Sequence, residues 1–386
     1  MLQFAIKMLV GDRAKYIGII IGLSFASFII SQQGAILLGI MKRTYGFIMD
    51  TSQPNIWVMD PSVQFIDDIK PMKETDLYRV RSVEGVEWAE PLFKGLIKAR
   101  LANGTFQTCI LIGIDNATLI GGPPKMVEGK LEDLRFPDAV FIDKNGADTK
   151  LASPPLKGSG EKIPMRIGDV MELNDHRAYV TGICSVSRTF QSQPVVYTTY
   201  NRATEYVPKE RKLLSFVIAK ASPGLDPHEV CNRIHAQTGL KAYTPYGVCR
   251  LTVEYYMRNT GILINFGVAI ILGFIIGIAI AGQTFYNFTL DNLRYFGTLK
   301  AMGAENPLLT KMILLQALYL GTIGWGIGIG GAAIFGYLAK GTELSFSMPF
   351  TLYLLSLISM LSICLLAAYF SIRRVKKTDP AIVFKS

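Results

Sequence analysis

The chain has 386 residues, 50% of them hydrophobic and only 18% charged, with a formal net charge of +10. That is too apolar for an ordinary soluble enzyme, and the apolar residues are gathered into four segments rather than spread evenly. The basic residues form no stripe interleaved with aromatics, which argues against nucleic acid as the partner behind the positive charge.

The first segment, Ile17 to Ile40, is long enough to cross the roughly 30 Å hydrocarbon core as a helix. It contains no charged residue, and Lys7, Arg13 and Lys15 precede it. A cleaved secretory signal would end in a small-residue site, whereas this run continues through Ser31, Gln32 and Gln33 into further apolar residues, so it reads as a retained anchor. The two glutamines are expected to face another helix, because an unsatisfied amide in hydrocarbon is costly.

A long mixed-polarity stretch, Lys42 to Arg258, follows. Asn55 to Asp60 reads as a strand, and Lys73 to Val83, with Leu77, Val80 and Val83 at three-residue steps, as a short amphipathic helix. Val86 to Leu101 and Phe106 to Ile114 are two strands joined through Ala102-Asn103-Gly104-Thr105, where Asn-Gly is expected to supply the positive φ angles of a tight hairpin. Gly121 to Gly160 is rich in Gly, Pro and charge, with one strand at Ala139 to Asp143. Arg166 to Leu173 and Ala178 to Val186 pair about Asn174-Asp175. Leu213 to Lys220 is again strand-like and is broken by Ser222-Pro223-Gly224, after which Asp226 caps a helix with Pro227 at its first position. These elements predict an α+β domain of two subdomains.

Chemistry-bearing motifs are scarce in this domain. His228, Cys231 and His235 share a helix at a spacing open to zinc, but a fourth ligand is missing and Val230 and Ile234 set an apolar face there, so a core helix is the simpler reading. Cys109, Cys184, Cys231 and Cys249 permit disulfides, Cys231 with Cys249 being the pairing to test first. No nucleophile elbow or HExxH motif is present. Gly122 to Lys130 (GPPKMVEGK) has the wrong spacing for a phosphate loop and no Ser or Thr after the lysine. No cofactor, metal or catalytic residue is therefore assigned to the chain.

Three further apolar segments, Gly261 to Phe285, Met312 to Ala339 and Phe350 to Ile372, complete the sequence and again carry no charge. Transport driven by an ion gradient usually keeps ionisable groups at membrane depth, so the energy source is expected elsewhere. Gly326 to Gly331, with Gly321 and Gly324, reads as close helix packing, and Gly18 with Gly22 and Gly273 with Gly277 repeat the same small-xxx-small spacing. Arg294, Lys300 and Lys311 surround the second connection and Arg373, Arg374, Lys376, Lys377 and Lys385 follow the last span, while Lys340 and Glu343 cancel in the third. This asymmetry puts both termini and the loop 286–311 in the cytoplasm and the domain 42–258 outside.

The second connection carries the most specific signal. Asp291 and Asn292 are helix-start residues, Leu293, Phe296, Leu299 and Met302 recur every third position, and Gly303 is a natural stop. An amphipathic helix is expected at the inner membrane surface, with Arg294 and Lys300 on its polar side. On these residues alone, a loop resting on the membrane is the simpler reading.

Here the chain resembles the MacB/FtsX-like family of ABC transporter permeases, whose corresponding connection has the flavour R-x-x-G-x-L-[KR]-A-x-G-A. Arg294, Gly297, Leu299, Lys300, Ala301, Gly303 and Ala304 match it. The resemblance extends to the pattern of spans, to Leu77 to Pro91, to Ile163 to Val170, and to the basic tail with Asp379-Pro380. Tyr295 and Gln316 stand where members usually or often carry an acidic residue.

The resemblance implies an α-helical membrane protein with four transmembrane helices and an α+β extracytoplasmic domain inserted between helices 1 and 2. It divides the chain into 1–41, 42–258 and 259–386. It implies a bacterial inner-membrane permease that dimerises with an identical or a different permease subunit and docks a separate cytoplasmic ABC ATPase, which binds the ATP and Mg. Docking would use Arg294, Phe296, Gly297, Leu299, Lys300, Met302 and Gly303, and a periplasmic adaptor or membrane-fusion protein is an open further partner. The expected activity is export or extraction of a hydrophobic or envelope-associated substrate. The alternatives are an FtsX-like regulator of an envelope enzyme and a membrane-anchored sensor or scaffold.

Overall fold

The computed structural model describes residues 8–9, 13–154, 162–208 and 214–376. The expectations for Lys7, Leu213, Lys377, Asp379-Pro380 and Lys385 lie outside these residues. The chain divides into two compact units, Met1–Ile40 with Gly261–Ser386, and Met41–Thr260.

Helix α1 (Arg13–Asp50) runs past the expected end at Ile40, because no proline interrupts it before Pro54. The inserted unit then contains, in chain order, β1 (Ile56–Met59), α2 (Glu74–Arg81), β2 (Val86–Arg100), β3 (Phe106–Ile114), β4 (Lys125–Glu128), β5 (Ala139–Asp143), α3 (Lys144–Asp148), β6 (Val170–Leu173) and β7 (His176–Ser185). It continues with β8 (Val195–Thr199), α4 (Tyr200–Tyr206), β9 (Phe216–Ala221), α5 (Pro227–Thr238), β10 (Lys241–Tyr243) and α6 (Pro245–Asn259).

The ten strands form one sheet in the order β10-β1-β9-β2-β3-β8-β5-β7-β4, with β6 attached to β2 and β7. The two sets of strands expected from the sequence are joined by one strand rather than separated by a linker. Strand β2 is long enough to serve both halves: its residues 86–92 pair with β9, and its residues 93–100 pair with β3. Alternation along β2 and β3 sends Phe93, Ile97, Cys109 and Leu111 to one apolar cluster and Leu92, Ile110, Ile112 and Ile114 to another, one on each face of the sheet. Helices α2, α4 and α5 close the first cluster with Val80, Ala203, Val230 and Ile234. Ile48 at the end of α1 and Val248 of α6 join the second. Trp57 on β1 is fully buried there, edge-on to Phe47 at 5.7 Å and to Phe216 at 5.8 Å.

Local turn chemistry is as expected at α5, where Asp226 accepts from His228 N at 3.0 Å and Gly239 ends the helix in the left-handed region. The first hairpin differs. Only Gly104 takes a positive φ, +81°, while the Asn103 side chain instead accepts from Thr105 N at 3.0 Å. The tight two-residue turn is the other one, where Asn174 and Asp175 both have positive φ (47° and 67°) between the paired Leu173 and His176.

The second unit holds α7 (Ile262–Asp291), the short α8 (Leu293–Ala301), α9 (Asn306–Leu338) and α10 (Phe350–Lys376), together with the first part of α1. Helices α1, α7, α9 and α10 are each long and apolar enough to cross a membrane. Helix α10 packs on both α7 and α9. Glycines set the closest approaches. A Cβ at Gly328 would lie 2.5 Å from the Ser24 carbonyl oxygen, at Gly324 2.6 Å from Leu23 Cβ, and at Gly277 2.9 Å from Ala26 Cβ, whereas Gly18, Gly326 and Gly330 face open space. Two polar groups lie at depth on these helices: Trp325 Nε1 donates to Ser356 Oγ at 3.0 Å, and Gln316 is buried.

This contrast within one glycine run gives a test. Gly328→Ala forces a methyl against backbone and should cost about 1–3 kcal/mol by overpacking. Gly330→Ala meets nothing and should be neutral or slightly stabilising. Thermal unfolding of the two variants in the same detergent, followed by size-exclusion of the soluble fraction, separates them.

Candidate functional site

The connection singled out by its sequence folds as α8, bounded by two distinct devices. Asn292 separates it from α7, but as a finish to α7 rather than a start to α8: its Nδ2 donates to Phe288 O at 2.8 Å, and it gives α8 no side-chain cap. At the other end Gly303, with φ +95°, lets Gly303 N donate to Lys300 O at 3.0 Å and Ala304 N to Leu299 O at 2.9 Å. This pair of bonds is a Schellman motif, which satisfies carbonyls that the last turn would leave bare. The carboxylate of Asp291, the last residue of α7, receives Lys15 Nζ from the first turn of α1.

The orientation of α8 divides the expected docking set into buried and exposed members. Phe296 is only 1% exposed and packs with Phe285, Phe288, Leu309 and Met312. Gly297 is buried beside it, Leu299 and Ala304 are partly buried against the same cluster, and Lys300 is half-buried. Arg294, Tyr295, Thr298, Met302 and Gly303 are exposed, Met302 at 78% and Tyr295 at 59%. The reason is helical drift: at ~100° per residue, a three-residue repeat creeps round the axis, so Met302 ends up opposite Leu293. The inward half of the repeat anchors the helix, and the outward half stays exposed. Tyr295, noted in the sequence only as a departure from an acidic position, is the largest aromatic on that outward face.

The other sequence candidates are structural. Among the described residues, no group of three or more His, Cys, Asp or Glu side chains is placed to hold a metal. His235 Nδ1 lies 2.8 Å from Leu240 O. Cys231 belongs to the cluster on one sheet face and Cys249 to that on the other, and all five cysteines are free and buried. Burial pushes the Cys109 and Cys231 thiols up to about 12 and that of Cys249 to about 11. They therefore stay protonated and unreactive at neutral pH.

With this arrangement in view, the relationships to known proteins are specific. Residues 267–380, which include α8 and most of the three C-terminal spans, match the family described as FtsX-like permease C-terminal. Across 81% of its length the chain is 23% identical to uncharacterized ABC transporter permeases of Mycobacterium tuberculosis strains CDC 1551 and H37Rv, covering 79% of each. Residues 267–380 thus match an FtsX-like permease domain, and the chain is similar over most of its length to ABC transporter permeases. Among solved structures it shows likeness to the extracellular domain of a noncanonic ABC-type transporter, YknZ, from Gram-positive bacteria, with 13% identity, 50% of this chain, 99% of that one and a TM-score of 0.34. The periplasmic region of MacB from Actinobacillus actinomycetemcomitans gives 15% identity, 53% of this chain, 94% of that one and a TM-score of 0.36.

The inward placement of Phe296 makes it a stability residue. Phe296→Ala should lower stability by about 3–5 kcal/mol, the usual cost of emptying a buried aromatic site. Met302→Ala should stay within about 0.5 kcal/mol. Unfolding midpoints in denaturant titrations of the detergent-solubilised protein check both.

Proposed function

We propose that the chain is the membrane subunit of an ABC transporter, coupling ATP hydrolysis by a separate cytoplasmic ATPase subunit to movement of its inserted domain. The work done is export or extraction of a hydrophobic or envelope-associated substrate. The observation that carries this reading is α8: a short helix pinned inward by Phe296 and closed by Gly303, whose outward face offers Arg294, Tyr295, Thr298 and Met302. Aromatic, Met and Arg side chains are the types enriched at protein interfaces. A helix held this way passes a push on its outer face to the bundle through one buried side chain.

Supporting the energetic half of the reading, no span contains a charged residue to carry an ion-coupled cycle, and no phosphate-binding loop is present in the sequence. Hydrolysis should accordingly be absent from the purified permease and present when the ATPase subunit is added. In this reading the permease works as a dimer, one α8 per ATPase subunit, with both termini in the cytoplasm and the inserted domain on the far side of the membrane.

Two measurements test the proposal. Tyr295→Asp and Met302→Asp should each weaken ATPase binding about tenfold or more, with unfolding midpoints unchanged because both side chains are exposed. Retained binding in both folded variants would remove α8 as the contact. For orientation, single cysteines at the exposed Asn103 and Thr298, in a background lacking native cysteines, should label oppositely with an impermeant maleimide in intact cells.

A further inference from the structure

The inserted unit holds a partly open cavity of about 390 Å³ that the permease reading does not use. Its size falls in the range of small-molecule sites, roughly 300–1,000 Å³. Phe47 of α1, Phe65, Leu96, Ile112, Phe190 and Tyr256 form its apolar wall. The aromatics are mutually braced: Phe65 stands edge-on to Tyr256 at 5.5 Å, and Phe190 lies 5.1 Å from the same ring.

Charge enters this wall in balance. Arg43 and Lys94 line it with Asp50 and Asp67. Lys94 is 4% exposed, its Nζ bonds the Asp67 carboxylate, and it sits 5.3 Å from the Phe47 ring centroid. Asp50 accepts from Ser187 N at 2.6 Å and Ser187 Oγ at 2.9 Å, and Arg43 Nη1 donates to Ser192 Oγ at 3.3 Å. Two cations and two acids cancel, so the cavity attracts neither anions nor cations as such. An extended peptide is also disfavoured: β3, which supplies Ile110 and Ile112, is paired on both sides, by β2 and β8, and offers no free edge.

We infer that this cavity binds the chain of a single-chain amphiphile with an uncharged or zwitterionic head, the chain lying among Phe47, Phe65, Ile112 and Phe190 and the head at the Lys94–Asp67 pair. Asp67 is the partly exposed member of that pair, 40% accessible against 4% for Lys94, so the pair marks the wet end of the cavity. The inference deepens the substrate half of the proposed function, and rests on that reading only for its physiological purpose. Binding itself requires no ATPase.

The test uses the full-length permease in lipid nanodiscs without any ATPase, so that failure of coupling and failure of this site are read separately. The probe is dodecylphosphocholine bearing a diazirine near the chain end, supplied either within the disc bilayer or as monomer from solution. Photolysis and peptide mapping should place label on segments containing Phe47, Leu96 or Ile112, and labelling by either route supports the site. Leu96→Trp, on the exposed part of the wall, and Ile112→Trp, at its floor, should each cut that labelling by about tenfold or more, with labelling of the span peptides unchanged. If Ile112→Trp fails to fold, Leu96→Trp carries the comparison. Pocket peptides unlabelled by both routes, or labelled equally in the folded Trp variants, would overturn the inference. A chain-matched probe with a sulfate head should label the pocket less, and equal labelling would refute the head-group assignment.

Discussion

Helices in hydrocarbon gain nothing from burying more hydrocarbon against each other, and this constraint governs the four-helix unit. With no charge in any span, association depends on how closely backbones approach. Gly324 and Gly328 of α9 meet Leu23 and Ser24 of α1 at distances that admit no Cβ, and Gly277 of α7 does the same at Ala26. The neighbours of these glycines, Gly326 and Gly330, project into open space. One face of α9 is thus reserved for packing while its other face is left to lipid or to another subunit. The same economy extends to α8, where Phe296 enters the cluster formed by the ends of α7 and α9 and fixes which residues remain outside.

The inserted unit solves a different problem. Its sheet has apolar clusters on both faces, and each must be covered. Strand β2 makes this one problem rather than two, since 15 residues of continuous backbone carry the ladder from β9 to β3. The helices are then allotted to faces: α2, α4 and α5 to one, and the end of α1 with α6 to the other. The cavity lies on the second face, where aromatic side chains from loops and helices stand over β2, β3 and β8 without filling the space between them.

Much of this was legible residue by residue. A short apolar run between Gly-, Pro- and charge-rich flanks revealed β5 to the residue, the Asp226-Pro227 pair revealed the start of α5, and uninterrupted apolar runs revealed four spans. What escaped did so for physical reasons. The joining of the two strand sets through β2 escaped because nothing local says which partners a long strand takes. Asn103-Gly104 and Asn174-Asp175 both signal turns, but only the loop length decides which needs two positive φ angles. The outward face of α8 was hidden because a three-residue repeat cannot say where a 3.6-residue helix will begin to point away. The cavity was invisible altogether: its wall is assembled from residues between 43 and 256, and no short motif encodes it.

Trp57 gives the inserted unit a built-in optical reporter. The chain has three tryptophans, and this one is wholly buried, in a T-shaped contact with Phe47, the α1 residue that also lines the cavity. A change in the cavity wall that shifts Phe47 must alter the surroundings of that indole. Replacing Trp88 and Trp325 by phenylalanine would leave a chain whose tryptophan emission, excited on the red edge where its 17 tyrosines do not absorb, comes from Trp57 alone and follows the wall of the cavity without any attached dye.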